Sequence, residues 1–227
     1  MNKFDNVYIL VPLYNEEQVI SDTIEGLKKY FNNILIINDG SSDSSLSIIS
    51  DLGVEYVSHS INLGVGAAVQ TGFEFILDNR RKCSAIITFD ADGQHRAEDA
   101  QRIAQEIEIS DKEIIFGSRF LGFDKKIPIV KRLVLKTVCS LTKFITGVNL
   151  TDAHNGLKGY KVSAINKINI NLDGYAYESE LIRQVQKHNI SFKEVPTDIE
   201  YTEYSKSKGQ KILSGFIIIE DLLKLWK

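Results

Sequence analysis

No stretch of this 227-residue chain approaches the roughly eighteen consecutive apolar residues that a membrane-spanning helix needs, so none is expected. Met1 to Asp5 show no basic segment leading into an apolar run, so no secretory leader is expected either. Cysteine is scarce. Cys83 and Cys139 are the two, neither in a Cys-x-x-Cys pair nor beside a metal-like histidine spacing, which suggests reduced thiols in a cytosolic protein, each a small core residue. Positive charge is not in excess: 27 Lys and Arg against 30 Asp and Glu leave a net charge of −3, without the basic footprint of a nucleic-acid binder. Internal repeats, low-complexity tracts and an obvious linker are missing as well. At 43% hydrophobic and 25% charged residues the chain can bury a full core, and it is read as one domain over residues 1–227.

What is present alternates two periods. Apolar runs at Val7–Val11, Asn33–Ile37, Val54–Val57, Ile86–Phe89 and Glu113–Phe116 read as strands. Between them, helical faces carry Val19, Ile20, Ile24 and Leu27, then Leu46, Ile49 and Leu52 with a stop at Gly53, then about Gly64 to Asp78, then Ala100, Ile103 and Ile107. Strands joined by helix-length, right-handed crossovers give a mostly parallel, Rossmann-like α/β sheet with helices on both faces. Ligands of such sheets bind beyond the carboxyl ends of the strands. The residues just after each strand are polar, glycine-rich or acidic: Pro12-Leu13-Tyr14-Asn15-Glu16, Asn38-Asp39-Gly40-Ser41-Ser42-Asp43, His59 to Gly66, Asp90-Ala91-Asp92-Gly93-Gln94-His95 and Gly117-Ser118-Arg119-Phe120.

Asp90 and Asp92 are the sharpest of these signals. Two carboxylates one residue apart, where a buried strand surfaces, can converge on one hard cation such as Mg²⁺ or Mn²⁺, which completes its shell with water and phosphate oxygens. That predicts a diphosphate ligand. Asp at such a position also serves simply as a turn former or helix cap.

The second half is less regular. Asp124 to Thr146 interleaves six Lys and Arg with apolar residues, which suits either a membrane-surface helix over 125–146 or a core-packed helix with a solvated basic face. Thr151 to Tyr160 reads as a loop or turn cluster, Tyr177 to Lys187 as a helix and Phe192 to Ile199 as a strand containing Pro196. Phe216 to Trp226 reads as a short amphipathic helix packed on the domain.

In order and strand-end placement these segments, with Asn62-Leu63-Gly64-Val65-Gly66, Thr151-Asp152, Gly156, Lys158 and Glu194-Val195-Pro196, resemble the GT-A fold glycosyltransferases of family 2, in the branch that includes dolichol-phosphate mannosyltransferase. The resemblance covers nearly the whole chain. It implies a nucleotide-sugar-binding half to about residue 120, an acceptor-binding half from about 121 to 227, a UDP- or GDP-sugar donor, Mg²⁺ or Mn²⁺, and transfer with inversion to a polyprenyl phosphate or a saccharide, in cell-surface polysaccharide or glycoconjugate synthesis. By that resemblance Pro12, Tyr14 and Glu16 frame the nucleoside, and Asp39 accepts hydrogen bonds from the base edge. Asn62 and Gly64 form the loop near ribose and phosphates. Asp90 lies near the ribose or a metal water, Asp92 ligates the metal, and Gln94 approaches donor or acceptor. Arg119 would meet the leaving diphosphate charge, and Asp152 would act as general base for a hydroxyl acceptor or orient an acceptor that is already anionic. Lys158, Lys206 and Lys208 are candidates to hold an acceptor phosphate.

Two departures stand out. Asn38 replaces the family's usual aspartate, and Tyr201 to Lys208 lacks the arginine typical of relatives that use lipid phosphates. No C-terminal membrane domain is expected. The expected location is the cytoplasm, with peripheral contact at the inner face of the membrane through 125–146. The oligomeric state is open. Competing readings are a catalytically silent GT-A binding subunit and a haloacid-dehalogenase-type phosphatase, whose aspartate pair would follow the first strand rather than the fourth. A sugar-nucleotide pyrophosphorylase lacks its glycine-rich, basic loop here.

Overall fold

A computed structural model describes residues 4–80, 82–122, 127, 129–174 and 176–200. The elements run β1 Val7–Leu13, α1 Ile20–Lys28, β2 Ile34–Asn38, α2 Ser45–Asp51, β3 Glu55–Ser58, α3 Val65–Asn79, β4 Ala85–Thr88, α4 Ala97–Ile109 and β5 Ile114–Ser118. They continue with α5 Ile129–Thr146, β6 Lys158–Lys161, α6 Val162–Ile165, α7 Ala176–Lys187 and β7 Phe192–Pro196. The strands form one sheet in the order β3-β2-β1-β4-β6-β5-β7. Every pairing is parallel except those of β6, which lies antiparallel between β4 and β5.

Alternation along the strands explains the two layers of helices. In β1, Val7, Ile9, Val11 and Leu13 face one side, against Ile20, Ile24 and Leu27 of α1 and Ala100, Ile103 and Ile107 of α4. Leu10 faces the other, with Leu35, Ile37 and Ile86, against Ala68, Val69, Phe73 and Ile76 of α3 and Leu181, Ile182 and Val185 of α7. Each fully buried Val, Leu, Ile or Phe side chain among these contributes about 1.5–3 kcal/mol. The expected α/β sheet with helices on both faces is the fold observed. Gly53, at φ +63°, ends the α2 turn as expected.

The 151–160 segment departs from expectation: its last residues are strand β6. Lys158-Gly159-Tyr160 gives no apolar alternation because each residue meets a different demand. Lys158 is buried in an ion pair, Tyr160 packs edge-on against Phe73 at 5.3 Å between ring centres, and a Cβ at Gly159 would come within 2.6 Å of Ile103 on α4. Because β6 runs against its neighbours, its start lies at the carboxyl edge of the other six strands. The 151–157 segment is thereby delivered to the same edge as the loops after β1, β2, β3, β4 and β5.

Pro196 closes β7 at the edge of the sheet, where a missing N–H costs no ladder bond. Helix α5 packs on α7 and buries Val138, Thr142 and Thr146. Its other face exposes Arg132, Lys136 and Lys143 together with Leu133 at 68% and Phe144 at 79%. The amphipathic tail at 216–226 and Lys206 and Lys208 lie outside the described residues. Cys83 and Cys139 are half-buried and free, and burial pushes both thiols up to about 11.

Candidate active site

The loops after β1 and β2 are tied together by short polar side chains rather than apolar ones. Asn15, at φ +54°, accepts the Ser42 N–H on Oδ1 at 2.8 Å, and its own N–H donates to Ser41 Oγ at 3.0 Å. Glu16 N donates to Ser45 Oγ at 2.9 Å and Glu17 N to Asp43 Oδ2 at 3.1 Å. Asn, Ser and Asp favour such local backbone capture, which fixes the loops. Pro12 and Glu16 are half-buried at this edge and Tyr14 is 46% exposed.

Asn38 uses both ends of its amide. Nδ2 donates to Ser58 Oγ at 3.2 Å, and Oδ1 accepts the Ser41 N–H at 3.2 Å. Asp39 is 3% exposed. Its carboxylate accepts the N–H groups of Leu63 at 2.9 Å and Gly64 at 2.8 Å, and meets His59 Nδ1 at 2.7 Å. Asn62 Nδ2 donates to the Asp39 carbonyl at 3.3 Å. The two predicted nucleotide loops are therefore one unit, built around the Asp39 carboxylate.

Beyond β4, Asp90 and Asp92 lie in opposite electrostatic states. Burial acts to raise the Asp90 pKa, but the hydrogen bond and charge of His95, with Lys158 and Arg119 nearby, hold it below the ordinary carboxylate value. His95 Nε2 is 3.2 Å from Asp90 Oδ2. Asp92 is pushed up, first by burial and then by the neighbouring Asp90, with Glu16 adding in the same sense. The Gln94 backbone N–H donates to Asp92 Oδ1 at 3.1 Å and its side-chain amide to Oδ2 at 2.5 Å. Among the described residues no group of three or more His, Cys, Asp and Glu is arranged to hold a metal ion. Mg²⁺, however, commonly takes only one or two protein carboxylates and completes its shell with water and substrate oxygens. Asp92 and Asp90 fit such a cation, because two half-buried carboxylates that repel each other are stabilised when positive charge joins them.

The 151–157 segment closes this edge. Glu194 on β7 accepts the backbone N–H groups of Thr151 and Asp152. Asp152 is 0% exposed, and its Oδ2 accepts from Arg119 N at 3.0 Å, Arg119 Nε at 2.6 Å and Asn155 Nδ2 at 3.2 Å. Arg119 also donates to the His154 carbonyl at 2.6 Å. The residues expected to act as base and as leaving-group cation are thus partnered with each other. Thr88 Oγ1 donates to the Gly156 carbonyl at 2.7 Å. A Cβ at Gly156 would fall 2.2 Å from both Asp90 carboxylate oxygens, so glycine lets the segment lie against the acid pair. Lys158, expected as a phosphate holder, is corrected: it is 0% exposed, and its Nζ is 2.7 and 2.5 Å from the two Glu178 carboxylate oxygens.

His59 stood in the sequence at a strand end and could have been singled out by position. Glu178 gave no signal, since a glutamate in an amphipathic helix normally faces water.

The loop unit around Asp39, the Asp90 and Asp92 pair and the 151–157 segment thus meet at one edge of the sheet. The sequence model described as glycosyl transferase family 2 matches residues 8–168, and the chain belongs to that family and is a glycosyltransferase. It is 31% identical to the UDP-N-acetylglucosamine–dolichyl-phosphate N-acetylglucosaminyltransferase of Methanococcus voltae, over 96% of this chain and 95% of that one. It is 26% identical to the polyprenol monophosphomannose synthase of Mycolicibacterium smegmatis, over 96% and 84%. These relatives support the dolichol-phosphate mannosyltransferase-like branch. The fold matches glucosyl-3-phosphoglycerate synthase of Mycobacterium tuberculosis, solved with Mn²⁺, UDP-glucose and phosphoglyceric acid, at a TM-score of 0.70 and 12% identity over 97% of this chain and 79% of that one.

Proposed function

We propose that the protein transfers a sugar, with inversion, from a UDP- or GDP-sugar to a polyprenyl phosphate. Pro12, Tyr14 and Glu16 frame the nucleoside, Asp39 meets the base, and Asn62 and Gly64 line the approach of ribose and phosphates. Asp92 and Asp90 would hold Mg²⁺ or Mn²⁺, with Gln94 beside them. Such a cation, when bound, neutralises charge building on the departing diphosphate. The observation that carries this reading is the excess negative charge at the end of β4, where burial and Asp90 already strain the ionised state of Asp92.

In the transfer itself an acceptor oxygen bonds to the anomeric carbon as the bond to the diphosphate oxygen breaks. A hydroxyl acceptor needs a base within reach. A carboxylate that is fully enclosed and neutralised by a guanidinium is a poor one, so the Arg119–Asp152 pair supports an acceptor that is already anionic. A phosphate monoester qualifies, with a second pKa of about 6. We assign Arg119 and Asp152 to holding the 151–157 segment and the acceptor's surroundings rather than to proton transfer. The relatives' lipid-phosphate substrates agree with this choice. No helix among the described residues is long and apolar enough to cross a membrane. The outward Leu133 and Phe144 among basic residues instead support peripheral contact with an anionic surface.

The test is calorimetric titration of a nucleoside diphosphate with and without Mn²⁺. Metal is expected to tighten binding, and Asp92→Asn to remove most of that gain while the fold survives. Equal affinity with and without metal overturns the assignment.

A further inference from the structure

Asp39 does not come to its ligand with a bare carboxylate. A carboxylate has about four lone-pair positions, two on each oxygen. Oδ1 already takes two contacts, His59 Nδ1 at 2.7 Å and the Leu63 N–H at 2.9 Å, and Oδ2 takes one, the Gly64 N–H at 2.8 Å. His59 is held in turn, with Nε2 3.0 Å from Thr71 Oγ1 on α3. A carboxylate accepts only, so Nδ1 is the donor in the contact with Asp39. One acceptor position remains, on Oδ2.

We infer that this prior occupation makes Asp39 a one-bond reader and His59 a specificity-determining positioning residue, so that the donor base is a pyrimidine imide, uracil or thymine, rather than guanine. The inference rests on the proposal that Asp39 meets the base. Guanine presents two adjacent donors, N1–H and the 2-amino group, which a free carboxylate accepts side by side, one on each oxygen. Here Oδ1 has no position left, and guanine's second donor would be enclosed without a partner. A uracil or thymine edge presents a single N3–H between two carbonyls and asks for one acceptor. An unmatched enclosed donor is expected to weaken binding by about tenfold or more.

The experiment is calorimetry of the full chain with Mn²⁺ against UDP, GDP and N3-methyl-UDP, repeated with His59→Phe, whose folding is checked by circular dichroism. UDP should bind at least about tenfold tighter than GDP, N3-methyl-UDP should lose a similar factor, and His59→Phe should narrow the UDP-to-GDP gap by freeing a position on Oδ1. GDP binding as tightly as UDP, N3-methyl-UDP binding like UDP, or a folded His59→Phe that keeps the full gap would each overturn the inference. If His59→Phe does not fold, the three nucleotides on the unaltered chain decide it. If none of the three binds, the proposed donor site itself is brought down instead.

Discussion

Two acidic centres share one edge of the sheet and are balanced in opposite ways. Around Asp152 and Glu178 each enclosed carboxylate has its own enclosed cation, Arg119 at 2.6 Å and Lys158 at 2.5 Å. At the end of β4, Asp90 and Asp92 share His95, the more distant fields of Lys158 and Arg119 act on Asp90, and Glu16 adds a further negative charge to Asp92. In the first centre each carboxylate has a cation of its own within the protein, although Asp152 Oδ1 is enclosed without a hydrogen-bond partner among the described residues. Under the proposed function, the second would be completed by a ligand that brings positive charge. Sequence proximity to a motif therefore does not tell a structural acid from a ligand-binding one, whereas the count of opposing charges does.

The sharpest way to break that contrast is to unbalance the balanced centre. Burial raises the Glu178 pKa even though Lys158 opposes it, so the pair gains little over neutral side chains. Lys158→Met alone should cost roughly 3–5 kcal/mol in urea unfolding, because Glu178 is left enclosed and unpaired. Lys158→Met with Glu178→Leu should recover most of that loss, as apolar pairs of similar volume replace buried ion pairs at little cost. A double variant as unstable as the single one would show that the pair is not a closed unit. Asp92→Asn should behave oppositely. The raised Asp92 pKa means that its neutral form suits the fold better, so this variant should be at least as stable as the parent at neutral pH.

The two centres were not equally legible in the sequence. Strands β1, β2, β4 and β5 and their loops could be read because buried strands are continuous apolar runs whose ends are marked by Asp, Asn, Ser and Gly, whereas β3 is a mostly exposed edge strand. Asp90, Asp92 and Asp39 were found at those ends. Strand β6 was not, because Lys158, Gly159 and Tyr160 answer to Glu178, Ile103 and Phe73, which lie 20 to 87 positions away in the chain. The pairing of Arg119 with Asp152 was hidden for the same reason: each was recognised, but 33 residues separate them, and only the antiparallel insertion of β6 brings them together.

A second test probes the cations of the balanced centre through His154, whose carbonyl Arg119 holds. Burial, then the positive charge of Lys158, with a smaller contribution from Arg119, pushes the imidazole down to about 3, against the opposing pull of Asp152. The folded value lies below the ordinary 6.5, so the unfolded chain takes up the proton first. This group's contribution is complete above about 6.5 and is lost as pH falls from there toward about 3. His154→Gln should flatten the fall of urea stability over that window by up to about 1.4 kcal/mol per pH unit, the value of one proton. Parallel curves for parent and variant would mean that His154 is protonated in the folded protein and that the neighbouring cations do not govern it.

The smallest effect is expected at Asn38, where the family's usual aspartate would add a carboxylate next to Asp39. Asn38→Asp should keep the Ser41 N–H contact, since either side chain presents an oxygen there. The Ser58 contact should also survive in reverse, because a hydroxyl can turn from accepting to donating. What remains is the cost of a second enclosed negative charge beside an acid already held by His59 and the 63–64 loop. A loss of about 1 kcal/mol in urea unfolding is expected, larger at neutral pH than at pH 4, where a buried carboxyl can take a proton instead. An unchanged stability at both pH values would mean that this edge tolerates another acid without a counter-charge. The unbalanced charge at Asp90 and Asp92 would then lose its force as the mark of a ligand site.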